Sequence, residues 1–119
     1  MTPKQTFYAN QAATIIKNLQ KRNMEGYYCP DAASAVKQAL ALMPDGSTIS
    51  WGGSMTLSET GLMDALQSHD YTLIDRMTAQ TPEEKREIYA KATLADYYLM
   101  STNAITLDGQ LVNIDGAGN

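Results

Sequence analysis

Three short apolar runs punctuate the chain: Thr48-Ile49-Ser50-Trp51, Tyr71-Thr72-Leu73-Ile74 and Tyr97-Tyr98-Leu99-Met100. Each is too short for a buried helix and is followed at once by small or polar residues. Segments with helical spacing lie between them. Residues 60–68 place Leu62, Ala65 and Leu66 on one side, and residues 81–95 do the same with Ile88, Tyr89, Ala92 and Ala95. Strands joined by helices of that length cannot be hairpin partners. They pair in parallel through crossover connections.

The first half supplies two more helices. Residues 4–24 carry Ala12, Ile15, Ile16 and Leu19 at three-and-four spacing. Pro30-Asp31 then opens a helix whose stripe is Ala32, Ala35, Val36, Ala39, Leu40 and Met43, closed by Pro44-Asp45-Gly46. Between them Gly26 ends the first pattern, and Tyr27-Tyr28-Cys29 reads as a short strand. Thr81-Pro82-Glu83-Glu84 is a helix-start signature, with a hydroxyl and a carboxylate placed to satisfy amides reciprocally. Glu87 and Lys91 form an i,i+4 pair on that helix. Near the end, Asp108-Gly109 separates residues 105–107 from 110–114 and predicts a hairpin. The expected fold is α/β: a mostly parallel sheet with crossover helices and a C-terminal β-hairpin. With no repeat or linker, residues 1–119 read as a single domain.

Composition narrows the function. The charge is -4, with 9 basic and 13 acidic residues, which argues against nucleic-acid binding. Residues 1–24 contain Lys4, Lys17, Lys21 and Arg22 and no acid, a basic helix face beside an acidic remainder. No apolar run reaches the roughly 20 residues that span a bilayer, so no membrane association is expected. One cysteine, Cys29, excludes an internal disulfide and a self-contained iron–sulfur or multi-cysteine zinc site. One histidine, His69, argues against a His-based metal centre. No metal and no cofactor are assigned to the chain, and a reducing cytoplasm is the expected setting.

In open α/β sheets ligands gather beyond the carboxyl ends of the strands. Three segments qualify. The first is Gly52-Gly53-Ser54-Met55-Thr56, where glycines permit positive torsions and exposed amides can cradle an anion. The second is Asp75-Arg76, where Arg76 can clamp a carboxylate or form a salt bridge with Asp75 or another neighbouring acid. The third is Ser101-Thr102-Asn103, whose side chains can hold a ligand or satisfy local amides. Glu59 can act as a general acid/base, orient a hydroxyl, cap a helix start or stand solvated. Asp115 and Gly116 join the set if the hairpin folds back, with Asp115 a base or a turn cap. No nucleophile–base pair and no phosphate-binding motif of the P-loop or dinucleotide type is present.

Residues 50–62, SWGGSMTLSETGL, together with 96–106, DYYLMSTNAIT, and 107–119, LDGQLVNIDGAGN, resemble the lactate-utilisation (LUD) domain family. The helix over 81–95 is similar to the family's intervening block. The resemblance implies a fold of the ribose-phosphate isomerase, glucosamine-phosphate deaminase and CoA-transferase type. It implies a role in lactate or organic-acid utilisation through binding of a small anionic metabolite. Relatives of that fold bind sugar phosphates, acyl-CoA or folates at loops like residues 52–56. The alternative it implies is a non-catalytic interaction subunit of a lactate-oxidising complex, with the iron–sulfur clusters on partner proteins. The family domain continues past the position of Asn119, so an incomplete sheet, and homo-oligomers formed through exposed strand edges, are expected. No catalytic assignment is carried over; Glu59 and Asp115 are the candidates from the residues alone.

Overall fold

A computed structural model describes residues 2–114. The chain divides into two compact units, Met1–Ala35 with Thr102–Asn119, and Val36–Ser101.

The second unit holds the sheet. Strands β1 (Thr48–Trp51), β2 (Thr72–Ile74) and β3 (Tyr97–Leu99) lie in the order β2-β1-β3. Both pairings are parallel: Ile49 is opposite Leu73 on one side and Tyr97 on the other. The helix preceding β1, α2 (Ala32–Leu42), sends its C-terminal part into this unit. Helices α3 (Met55–Glu59) and α4 (Leu62–Gln67) connect β1 to β2. A 3-10 turn (Arg76–Thr78) and α5 (Pro82–Thr93) connect β2 to β3. The α/β class and the parallel crossover plan expected from the apolar runs are therefore what the chain adopts.

The core explains the arrangement. Ile49 and Leu66 are fully buried, and Met43, Leu57 and Leu62 close around them. Val36, Ala39 and Leu40 of the α2 stripe pack on this cluster, as do Leu73, Tyr97 and Leu99. Burying a side chain such as Ile49 or Leu66 is worth about 1.5–3 kcal/mol. Polar groups within the layer are satisfied: the fully buried Ser50 donates its hydroxyl to the Ile74 carbonyl at 2.9 Å. Two tyrosines anchor the end of α2, Tyr71 donating to the Met43 carbonyl at 2.8 Å and Tyr97 to that of Leu42 at 3.1 Å. Burial raises the Tyr71 phenol above its ordinary value, with Asp45 contributing.

At the amino ends of the strands, Asp96 clips β3 to β1. Its Oδ2 accepts the Thr48 amide at 2.9 Å and the Thr48 hydroxyl at 3.0 Å, and the same hydroxyl accepts the Asp96 amide at 2.9 Å.

The short helix expected over residues 60–68 is α4, Leu62–Gln67, with Leu62 and Leu66 buried. Gly61, at φ +87°, takes a left-handed conformation that separates α3 from α4. Leu57, in the short helix α3 that precedes Gly61, is buried in the core. Thr81 and Glu84 form the expected capping box, with the Thr81 hydroxyl accepting the Glu84 amide at 3.1 Å.

The first unit contains α1 (Pro3–Lys21) and an antiparallel pair, β4 (Ala104–Ile105) and β5 (Leu111–Val112). The hairpin exists, but its loop has three residues, 107–109. The Gly109 amide donates to Thr106 O at 3.0 Å and the Thr106 amide to Gln110 O at 2.9 Å. Gly109 sits at φ +85°, the left-handed position that such a loop requires. The hairpin lies on α1: Asn18 donates to the Leu107 carbonyl at 2.8 Å, and Arg22 reaches Asp108 at 3.9 Å. Tyr27-Tyr28-Cys29 forms no strand. Both tyrosines are exposed, and the segment has no ladder partner; a lone extended segment leaves its amides unpaired and buries no face.

Candidate functional site

Parallel strands in adjacent register end on one rim. Trp51, Ile74 and Leu99 are the last residues of β1, β2 and β3, so residues 52–54, 75–76 and 100–101 leave the sheet together. The rim gathers Gly52, Gly53 and Ser54 from the first exit, Arg76 from the second and Ser101 from the third. The Ser54 and Ser101 hydroxyls meet at 2.8 Å, tying the first exit to the third.

The twin-glycine segment differs from the anion cradle expected of it. The Gly52 amide donates to the Leu99 carbonyl at 3.0 Å, continuing the β1–β3 pairing past the strand. Neither Gly52 nor Gly53 adopts a positive φ. Ser54 is extended and does not cap α3 with its hydroxyl, which Ser101 engages instead. Met55 and Thr56 belong to α3 rather than to a loop, with both side chains exposed. What Gly53 contributes is open space: a Cβ there would meet nothing within 4 Å.

The positive charge of the rim is Arg76. Asp75 does not pair with it. The Asp75 carboxylate accepts the Met77 amide at 2.9 Å and caps the 3-10 turn. The guanidinium lies instead over two tyrosine rings, 5.2 Å from the Tyr89 centroid and 5.9 Å from that of Tyr98. Its Nε is buried and has no hydrogen-bond partner. Among the described residues the only ion pair is Arg22 with Asp108, so Arg76 is not neutralised. A partly desolvated guanidinium held by rings is costly to maintain and binds an incoming anion more strongly than a solvated one. Tyr89 and Tyr98 were not legible as site residues, because their apolar spacing reads equally as packing.

Two hollows open beside this group. A cavity of about 110 Å³ is lined by Trp51, Gly52, Gly53, Asp75, Arg76, Met77 and Tyr89. The second, about 410 Å³ and broadly open, is lined by Gly53, Ser54, Met55, Ser58 and Glu59. Gly53 is common to both. A third hollow, of about 460 Å³ between β2 and α5, has Asp75, Glu84 and Glu87 against Lys91, the wrong sign for an anion. Backbone donors from Gln80 and Thr81 hold the Glu84 carboxyl below its usual value.

The remaining candidates fall elsewhere. The Thr102 hydroxyl donates within the hairpin to the carbonyls of Ala104 and Val112 at 3.0 and 3.1 Å. Asn103 Oδ1 accepts the Ile114 amide at 2.8 Å. Both side chains serve the first unit's turn. Asp115 and Gly116 lie outside the described residues. Among the described residues no cluster of three or more His, Cys, Asp or Glu side chains can hold a metal, and no helix is long and apolar enough to cross a membrane.

A family model for the LUD domain matches residues 12–119, which cover the sheet, the rim and the hairpin. No curated protein and no solved structure matches the chain. With the match extending over nearly all of its length, the chain belongs to the LUD domain family.

Proposed function

We propose that the chain binds a small anionic metabolite at the strand-exit rim, in the service of lactate or related organic-acid utilisation. One observation carries this reading: Arg76 stands at the rim unpaired, with a buried Nε, beside a cavity lined by Gly52 and Gly53. A guanidinium in that setting offers charge-assisted hydrogen bonds to a carboxylate or a phosphate. The position agrees with the ligand location general to open α/β sheets. The family's connection to organic acids points to the same chemistry.

The test is a thermal-shift panel of lactate, acyl-CoAs, sugar phosphates and folates on the wild type and on Arg76→Met. A ligand at 100 times its Kd stabilises the wild type by about 2.7 kcal/mol. Loss of a charge-assisted bond weakens binding in Arg76→Met by roughly 10- to 100-fold. A stabilisation equal in both proteins would move the site away from Arg76.

A second reading, an interaction subunit for an iron–sulfur partner, is favoured by Met55 and Met77, which are 77% and 88% exposed and flank Gly53. Exposed apolar side chains of this kind suit a protein contact. Co-purification of an iron–sulfur protein that Met55→Ser with Met77→Ser abolishes, alongside a flat ligand panel, would select it.

A further inference from the structure

We infer that the rim selects a singly charged carboxylate whose uncharged body crosses Gly53, and discriminates against phosphates and dicarboxylates. The inference deepens the anion-binding reading above and rests on it.

Charge balance is the first ground. Around Arg76 the small cavity carries one base and one acid, Arg76 and Asp75. The adjoining hollow carries Glu59 and no base. A ligand spanning both meets one cation and two carboxylates. A monoanion finds one partner for its one charge. A phosphate dianion leaves a charge uncompensated next to Asp75, and the far carboxylate of a diacid faces Glu59. Like charges brought together beside the half-buried Arg76 and Asp75 repel more strongly than the same charges free in water.

Volume is the second. A cavity of about 110 Å³ accepts a carboxylate and a few attached atoms, well below the roughly 300–1,000 Å³ of sites that enclose larger ligands. Anything longer extends beyond it, and Gly53 is the residue the cavity shares with the adjoining hollow. The third ground is Gly53 itself. Its φ is not positive, and a Cβ there would meet nothing, so the backbone does not require glycine. Gly53 lines both the Arg76 cavity and the hollow where Met55 offers apolar surface and Ser58 and Glu59 offer acceptors, and it places no side chain at their shared edge. A ligand body bearing a hydroxyl or other donor fits that end; a second anion does not.

Titration calorimetry on the full chain tests this with acetate, butanoate, 4-hydroxybutanoate, succinate and inorganic phosphate at fixed pH and ionic strength. Butanoate and 4-hydroxybutanoate are expected to bind at least about tenfold more tightly than succinate or phosphate, and Glu59→Gln to narrow the gap to succinate. Gly53→Val, which has space to fold, is expected to weaken butanoate about tenfold while changing acetate by less than about threefold. Phosphate or succinate matching butanoate through an Arg76-dependent site overturns the selectivity and leaves the rim as an anion site. Equal weakening of acetate and butanoate by Gly53→Val overturns the crossing at Gly53. Absence of Arg76-dependent binding by any of the probes, with the panel above also flat, overturns both readings.

Discussion

Arg76 and Asp96 sit at opposite ends of the same three strands and show how environment decides what a charged side chain does. Asp96 is fully engaged by Thr48, whose amide and hydroxyl stabilise the carboxylate and hold it below its ordinary range. A depressed carboxyl contributes stability that is complete above its unfolded value of about 4 and disappears as pH falls through the folded value. The stability difference between wild type and Asp96→Asn, from urea unfolding, is thus expected to stay level between about pH 5 and 8 and to shrink below about pH 4. A difference that grows on acidification would contradict the clip. Arg76, in contrast, has rings for neighbours and no counter-ion. Gly109 carries a third residue-scale expectation. Its φ is +85°, and a Cβ would come within 3.0 Å of the Asn18 and Leu19 backbone. Gly109→Ala should destabilise the hairpin by at least about 1–2 kcal/mol. Faster amide exchange at Thr106 and Gln110 would report it, and unchanged exchange would refute the packing described.

At the scale of elements, helix boundaries and the parallel plan were readable because local chemistry sets them. The α2 stripe from Val36 to Met43, the Thr81 box and the three apolar runs each use short-range rules that no tertiary contact reverses. Thr81→Ala removes the acceptor for the Glu84 amide and is expected to cost about 1 kcal/mol, measurable by thermal unfolding. A loss below about 0.3 kcal/mol would mean that Pro82 and Glu84 start α5 unaided. What escaped the sequence depends on distant partners. Gly52 reads as a free turn until the Leu99 carbonyl is seen to accept its amide. The Tyr27 segment reads as a strand because its apolar content says nothing about whether a ladder awaits it. Asp75 beside Arg76 reads as an ion pair, yet the shorter reach of the aspartate favours its own Met77 amide. The Tyr89 and Tyr98 rings come to Arg76 from two different elements, α5 and β3, so no spacing rule contains them.

At the scale of the whole molecule, a charge of -4 does not draw anions in. Electrostatic reach at physiological salt is about 8 Å, so an anionic ligand must be recognised within the rim. Local recognition by Arg76 is therefore the claim on which the functional reading depends. The most direct measurement follows the Arg76 Nε–H resonance and the backbone amides of Gly53, Ser54 and Met77 by NMR while butanoate is titrated into the labelled chain. Saturable shifts of the Nε–H with the Gly53 and Met77 amides, absent in Arg76→Met, are the expected result. Shifts that saturate elsewhere, or an Nε–H that stays still while the acid binds, would contradict it.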